Sequence, residues 1–97
     1  MAEVIWSPEA IQDVSGIGNT IGRTSESYAS SVVSKIFRVV DSLQTLPESG
    51  SEVEEYLNPE IRERLSGKYR IIYRLRENVV EVLTVIHGSR RLPILLG

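Results

Sequence analysis

Cysteine is absent from this 97-residue sequence, and histidine, methionine, tryptophan and phenylalanine occur once each. The missing thiols remove disulfides and thiolate chemistry and fit a reducing cytoplasm. The opening MAEVIWSPEA has no basic stretch followed by an apolar run, so no signal peptide is expected. No apolar run approaches the roughly 20 residues needed to span a bilayer, so no membrane partner is expected. No set of His, Asp and Glu has metal-ligand spacing, and neither metal nor other cofactor is expected. Internal repeats, low-complexity tracts and linkers are missing too. The expectation is a single cytoplasmic domain over residues 1–97, large enough to bury a core without a staple.

Acidic residues are scarce only at one end. Residues 1–61 hold ten Asp and Glu against three Lys and Arg, whereas residues 62–97 hold three against eight. The net charge of −2 therefore hides an acidic flank and a basic C-terminal third.

AEVIW (2–6) reads as a short strand with Val4 and Trp6 on one side and Ile5 on the other. Ser7 is a good N-cap, Pro8 sits where a helix tolerates proline and Glu9 favours the first turn. Ala10, Ile11, Val14, Ile17 and Ile21 then recur at helical spacing, with a break expected near Gly22. A second helix begins near Thr24 or Ser25 and carries a stripe of Tyr28, Ala29, Val32, Val33, Ile36, Phe37, Val40 and Leu43. Pro47 and Gly50 end it, and acidic residues 48–60 read as a loop with one short turn around Val53–Leu57. G-I-G-N-T-I-G (16–22) looks superficially like a phosphate-binding loop, but it lies in a helix and follows no strand. Glu54 and Glu55 are expected to stay solvated.

Beyond residue 60 the pattern changes to alternation. IRERL (61–65), a turn at Ser66-Gly67, KYRIIYRLR (68–76) and VVEVLTVIH (79–87) read as three strands of an antiparallel meander. With Glu77 and Asn78 as a two-residue turn, Leu75 faces Val80, Tyr73 faces Val82, Ile71 faces Thr84 and Tyr69 faces Ile86. On the other face Arg76 meets Val79, Arg74 meets Glu81, Ile72 meets Leu83, Arg70 meets Val85 and Lys68 meets His87. The fold class is α+β: two N-terminal helices packed on one face of a small, mostly antiparallel sheet. The outer face then gathers Arg62, Arg64, Lys68, Arg70, Arg74 and Arg76 around Ile72, Leu83 and Val85, with Arg90 and Arg91 at its rim. Guanidinium groups bind phosphate bidentately, and the interleaved apolar residues suit an amphipathic partner segment. On this reading Arg70→Ala abolishes function and leaves the fold intact.

IRERLSGKYRIIYRLRENVVEVLTVIHGSRRLP resembles the C-terminal half of the RelE/ParE toxins of bacterial type II toxin–antitoxin modules. The WSPEA opening, the two helices and the P-x-x-G turn at 47–50 resemble the N-terminal half. The resemblance implies a toxin held inactive by a cognate antitoxin, a small protein with an acidic or amphipathic C-terminal segment, in a hetero-oligomer. ParE-like members inhibit DNA gyrase by binding, and RelE-like members cut mRNA on the ribosome. Carried over by position, Arg62, Arg64, Arg70 and Arg90 fill the family's basic sites. With Lys68, Arg74 and Arg91 of the same expected face they would contact the target or its phosphates, and the interleaved Ile72, Leu83 and Val85 the antitoxin. In an RNase, Arg64, Arg70 and Arg90 would stabilise the phosphate. The closing Ile94, Leu95, Leu96 and Gly97 offer no proton carrier where many RelE-like members place a tyrosine, which leaves His87 as a weak candidate. The ParE-like branch is therefore the favoured expectation. An mRNA endonuclease, or an inactive relic that still binds antitoxin, are the alternatives.

Overall fold

The structure, a computed structural model, describes residues 1–92. The expected role of the closing segment from Pro93 onward lies outside the described residues. The elements are β1 (Glu3–Trp6), α1 (Pro8–Gly22), α2 (Glu26–Ser42), β2 (Ser51–Glu52), β3 (Ile61–Ser66), β4 (Tyr69–Arg76) and β5 (Val79–His87). They form a five-stranded sheet in the order β1-β5-β4-β3-β2. β1 runs parallel to β5, and the other neighbours are antiparallel. The expected α+β class and the three C-terminal strands are as the sequence indicates. β2, two residues long, lies inside the stretch read as loop.

Local chemistry sets the helix boundaries. Ser7 caps α1, its Oγ accepting from Ala10 N at 3.0 Å, and Ser25 caps α2 by accepting from Tyr28 N at 3.1 Å. Ala10 and Val14 of α1 and Ile36 and Val40 of α2 meet Ile71, Val82 and Val85 of the sheet in the main core. Tyr73, Leu43, Val80 and Ala2 extend that core toward the C-terminal end of α2. Tyr73 is fully buried, and its hydroxyl donates to Pro47 O at 2.8 Å and accepts from Gly50 N at 2.9 Å. That pair of bonds fixes the turn after α2 and brings the chain to β2.

The β4–β5 hairpin turns through Glu77 and Asn78, whose φ values of 51° and 62° are those of a two-residue turn matched to strand twist. From that turn the register is the expected one as far as Tyr73↔Val82. A bulge then inserts Leu83, so Thr84 opposes Ile72, Val85 opposes Ile71 and Ile86 opposes Arg70. The expected pairs Ile71–Thr84, Tyr69–Ile86, Ile72–Leu83 and Arg70–Val85 are replaced. The bulge rotates Val85 inward, and at 2% exposure it belongs to the main core rather than to the outer face.

Helix α1 holds the bulge in place. Ser7 Oγ donates to Leu83 O at 3.0 Å. Asp13 Oδ2 accepts from Thr84 Oγ1 at 2.6 Å and from Val85 N at 3.0 Å. Backbone groups that the bulge leaves off the ladder thus find partners on the helix.

Candidate functional site

The expected cationic face does not exist as one surface. The β3–β4 turn through Gly67 and Lys68 pairs Ser66 with Tyr69, Leu65 with Arg70, Arg64 with Ile71 and Arg62 with Tyr73. Arg62 and Arg64 therefore share the helix-side face with Tyr73 and Ile71, at its edge. Arg62 Nη1 donates to the carbonyls of Glu48 and Gly50, at 3.3 and 3.1 Å. Arg64 Nη1 donates to Ser49 Oγ at 2.7 Å and reaches Ser42 Oγ at 3.5 Å. Both arginines brace the α2–β3 connection from the side opposite Arg70 and Arg74.

On the outer face each arginine of β4 meets a carboxylate. Arg74 Nη2 lies 2.7 Å from Glu81 Oε1, the expected cross-strand pair. Arg76 pairs with Glu60 at 2.9 Å, and this hydrogen bond holds the Glu60 carboxyl below its ordinary value.

Arg70 is the most constrained. Its side chain is 9% exposed, and Nη1 and Nη2 meet the two oxygens of Glu55 at 2.8 and 2.9 Å. Nη2 and Nε meet Glu63 Oε2 at 2.6 and 3.2 Å, and Nη1 also donates to Arg90 O at 3.2 Å. These five bonds match the five N–H groups a guanidinium carries. The Glu55 carboxylate, 3% exposed, is held down to about 2, first by the bond from Arg70, then by the backbone N–H of Leu92, against the opposing cost of burial. The pairing with Glu55 in turn raises the Arg70 value.

Beside this node an open cleft of about 680 Å³ crosses the outer face. Ile61, Ile72, Leu83, Ile86 and Leu92 give it an apolar floor, and Glu9, Asp13, Arg90 and Arg91 stand among its lining residues. Of the three residues expected to face an antitoxin, Leu83 is half-buried in this cleft. Ile72 forms its floor at 1% exposure, covered by Val53, Ile61 and Leu92, and Val85 faces the helices. The expected exposure of Ile72 and Val85 is thus corrected. The bulge turned Val85 inward, and a covering segment buried Ile72.

A second cleft, of about 600 Å³, is lined by Lys68, Arg70, His87, Ser89, Arg90 and Arg91 together with acidic residues including Glu55 and Glu63. His87 opposes Tyr69, not Lys68, and its ring meets Tyr69 edge-on at 5.7 Å. Its Nδ1 lies 3.2 Å from Ser89 N and 2.7 Å from Ser89 Oγ, so the ring is held against the turn that follows β5. Arg91 lies 3.4 Å from Glu54 and 4.0 Å from Glu55. Among the described residues, Lys68 and Arg90 carry no salt bridge, and no group of three or more His, Asp or Glu could hold a metal ion. No helix among them is long and apolar enough to cross a membrane.

A family model described as ParE toxin of type II toxin-antitoxin system, parDE, matches residues 4–92. The chain belongs to the ParE toxin family. A solved structure described as a chromosomal ParDE TA system from P. aeruginosa has the same fold, with a TM-score of 0.76 at 17% identity. The alignment covers 92% of this chain and 98% of that one. No curated protein matches the sequence. Family membership thus rests on the pattern over nearly the whole ParE-like chain, and not on the shared cationic surface that the outer-face arginines were expected to make.

Proposed function

We propose that this ParE-family toxin inhibits DNA gyrase by binding it, acts in the cytoplasm and is neutralised by a cognate ParD-like antitoxin. The observation that carries the binding mode is the state of Arg70. An mRNA endonuclease needs guanidinium groups aimed at the scissile phosphate and a group that moves a proton. Here the five donors of Arg70 are spent on Glu55, Glu63 and Arg90 O, which leaves this central cation none for a phosphate. Lys68, Arg90 and Arg91, gathered at the His87 end of the sheet, are the target-contacting cations of this proposal. Arg62, Arg64 and Arg74 are spent on carbonyls, serines and Glu81. The antitoxin segment docks in the apolar cleft at the half-buried Leu83 and Ile86, where Glu9 and Asp13 and the arginines at 90 and 91 offer opposite charges to an amphipathic chain.

A second reading, the ribosome-dependent endonuclease, has one feature in its favour: Lys68, His87 and Arg90 line a single cleft. Inducing the chain in a bacterium separates the readings. Filamentation and a DNA-damage response, with loss of supercoiling by purified gyrase, are expected. Rapid translation arrest with cut transcripts would move the assignment to the endonuclease, and normal growth to the inactive relic. Lys68→Ala with Arg90→Ala is expected to relieve toxicity with the fold intact.

A further inference from the structure

The outer face carries a small core of its own. Ile61, Ile72, Val53 and Leu92 are each 9% exposed or less, with Tyr56, Leu83 and Ile86 packed against them. Ile61 and Ile72 belong to the sheet. Val53 and Leu92 come from two irregular segments laid over it, one following β2 and one following β5. A sheet face covered by irregular chain needs something other than a ladder to hold the cover down.

One buried ion cluster supplies the hold. Glu55, on the first segment, grips Arg70 with both oxygens and also accepts from Leu92 N, on the second segment, at 2.9 Å. Arg70 in turn donates to Arg90 O on that second segment and to Glu63 on β3. A single guanidinium and a single carboxylate therefore tie both covering segments to each other and to two strands. Past Gly88, whose N–H donates to Lys68 O at 2.7 Å, the segment after β5 is fastened through these two side chains, the Leu92 side chain and the exposed pairing of Arg91 with Glu54.

The geometry points to a latched cover: residues 53–57 and 88–92 form a lid over the outer sheet face, closed by the Glu55–Arg70 pair, that opens without unfolding the helix-side core. Closed, it hides Ile61, Ile72 and the guanidinium of Arg70. Open, it presents the apolar patch of Ile61 and Ile72 beside Arg70, which stays held by Glu63 on β3. The two cores are physically separate layers, one on each side of the sheet, so one can loosen while the other stays packed. The latch does not respond to mild acid, because Glu55 stays ionised far below neutral pH.

The absence of cysteine allows a direct test on the full chain. Two single-cysteine reporters are compared under native conditions by thiol labelling: Ile61→Cys beneath the lid and Ala10→Cys in the helix-side core. Ile61→Cys is expected to label at least about tenfold faster than Ala10→Cys, with little dependence on urea, as sub-global opening requires. Glu55→Gln is expected to raise the Ile61→Cys rate at least about tenfold further and leave the ratio of Ala10→Cys labelling to global unfolding unchanged. Leu92→Cys, in the lid itself, is the second reporter if Ile61→Cys does not fold, with Trp6 fluorescence as the check of folding. Equal labelling beneath the lid and in the core, in both backgrounds and tracking global unfolding, would overturn the proposal.

Discussion

Arg70→Ala is the most informative substitution, because the alternation of the sequence and the packing of the structure forecast opposite results. A guanidinium on an open face can be removed at little cost. The one observed here is nine-tenths buried between two carboxylates. Removing it leaves Glu55, 3% exposed, with its Leu92 N–H bond and Arg91 at 4.0 Å, but without the guanidinium that grips both its oxygens. Breaking a buried pair by deleting one partner costs about 3–5 kcal/mol, a large part of the roughly 5–15 kcal/mol that stabilises a domain. At about 4–8 °C per kcal/mol for a domain of this size, the midpoint should fall by roughly 12–40 °C. Urea unfolding followed by the fluorescence of Trp6, packed on Phe37 at 5.2 Å, reads the change. A double-mutant cycle with Glu55→Gln assigns it: the pair of substitutions should cost less than the sum of the two by at least about 2 kcal/mol. A loss under about 1 kcal/mol for Arg70→Ala, or additivity in the cycle, would refute the buried-pair account. The consequence for function is direct. Lost toxicity in Arg70→Ala is explained by lost stability, so target contact must be probed at exposed cations such as Lys68 and Arg90.

Three further outcomes follow from the same geometry. Tyr73→Phe should cost about 1–3 kcal/mol by urea titration, since the buried Gly50 N–H and Pro47 carbonyl both lose their partner. Asp13→Ala should cost a similar amount and raise amide exchange at Val85, because the carboxylate alone accepts from both bulge donors. The third concerns pH. Glu55 is depressed from 4.5 to about 2, so its contribution is complete above pH 4.5 and disappears as pH falls through 2. The depression corresponds to about 3 kcal/mol, and the stability gap between the native chain and Glu55→Gln should shrink across that window; a constant gap would count against it.

Much of this architecture was legible because local chemistry and global fold agree. Ser7 and Ser25 marked the helix starts, Glu77-Asn78 marked the hairpin, and the alternation of β4 placed Tyr73 and Ile71 inward. Two features were not read. The bulge at Leu83 depends on a helix carboxylate thirteen residues into the chain, 71 and 72 residues from its partners, and nothing in VVEVLTVIH announces it. The split of the arginines, by contrast, was available to arithmetic. A two-residue turn pairs an even residue number with an odd one. Arg62 and Arg64 therefore had to oppose odd-numbered residues on the helix side, in the fold Tyr73 and Ile71, and could never have shared a face with Arg70 and Arg74.

The charge split carries the deeper lesson. Acidic residues 48–60 and the basic C-terminal third were read as a solvated loop and a working surface. In the fold they find each other: Glu55 with Arg70, Glu54 with Arg91 and Glu60 with Arg76. The three pairs differ in weight. Glu54–Arg91 and Glu60–Arg76 are exposed, screened by solvent, and contribute little. Glu55–Arg70 is buried, and its removal from either side is the costly change. An acidic loop preceding a basic strand in a chain of small net charge is thus a signal of intramolecular pairing, and here it fixes where the loop lies. Among the described residues, Lys68 and Arg90 at the His87 end of the sheet carry no salt bridge, so the proposed target contact is to be tested at that end and not along the middle of the sheet.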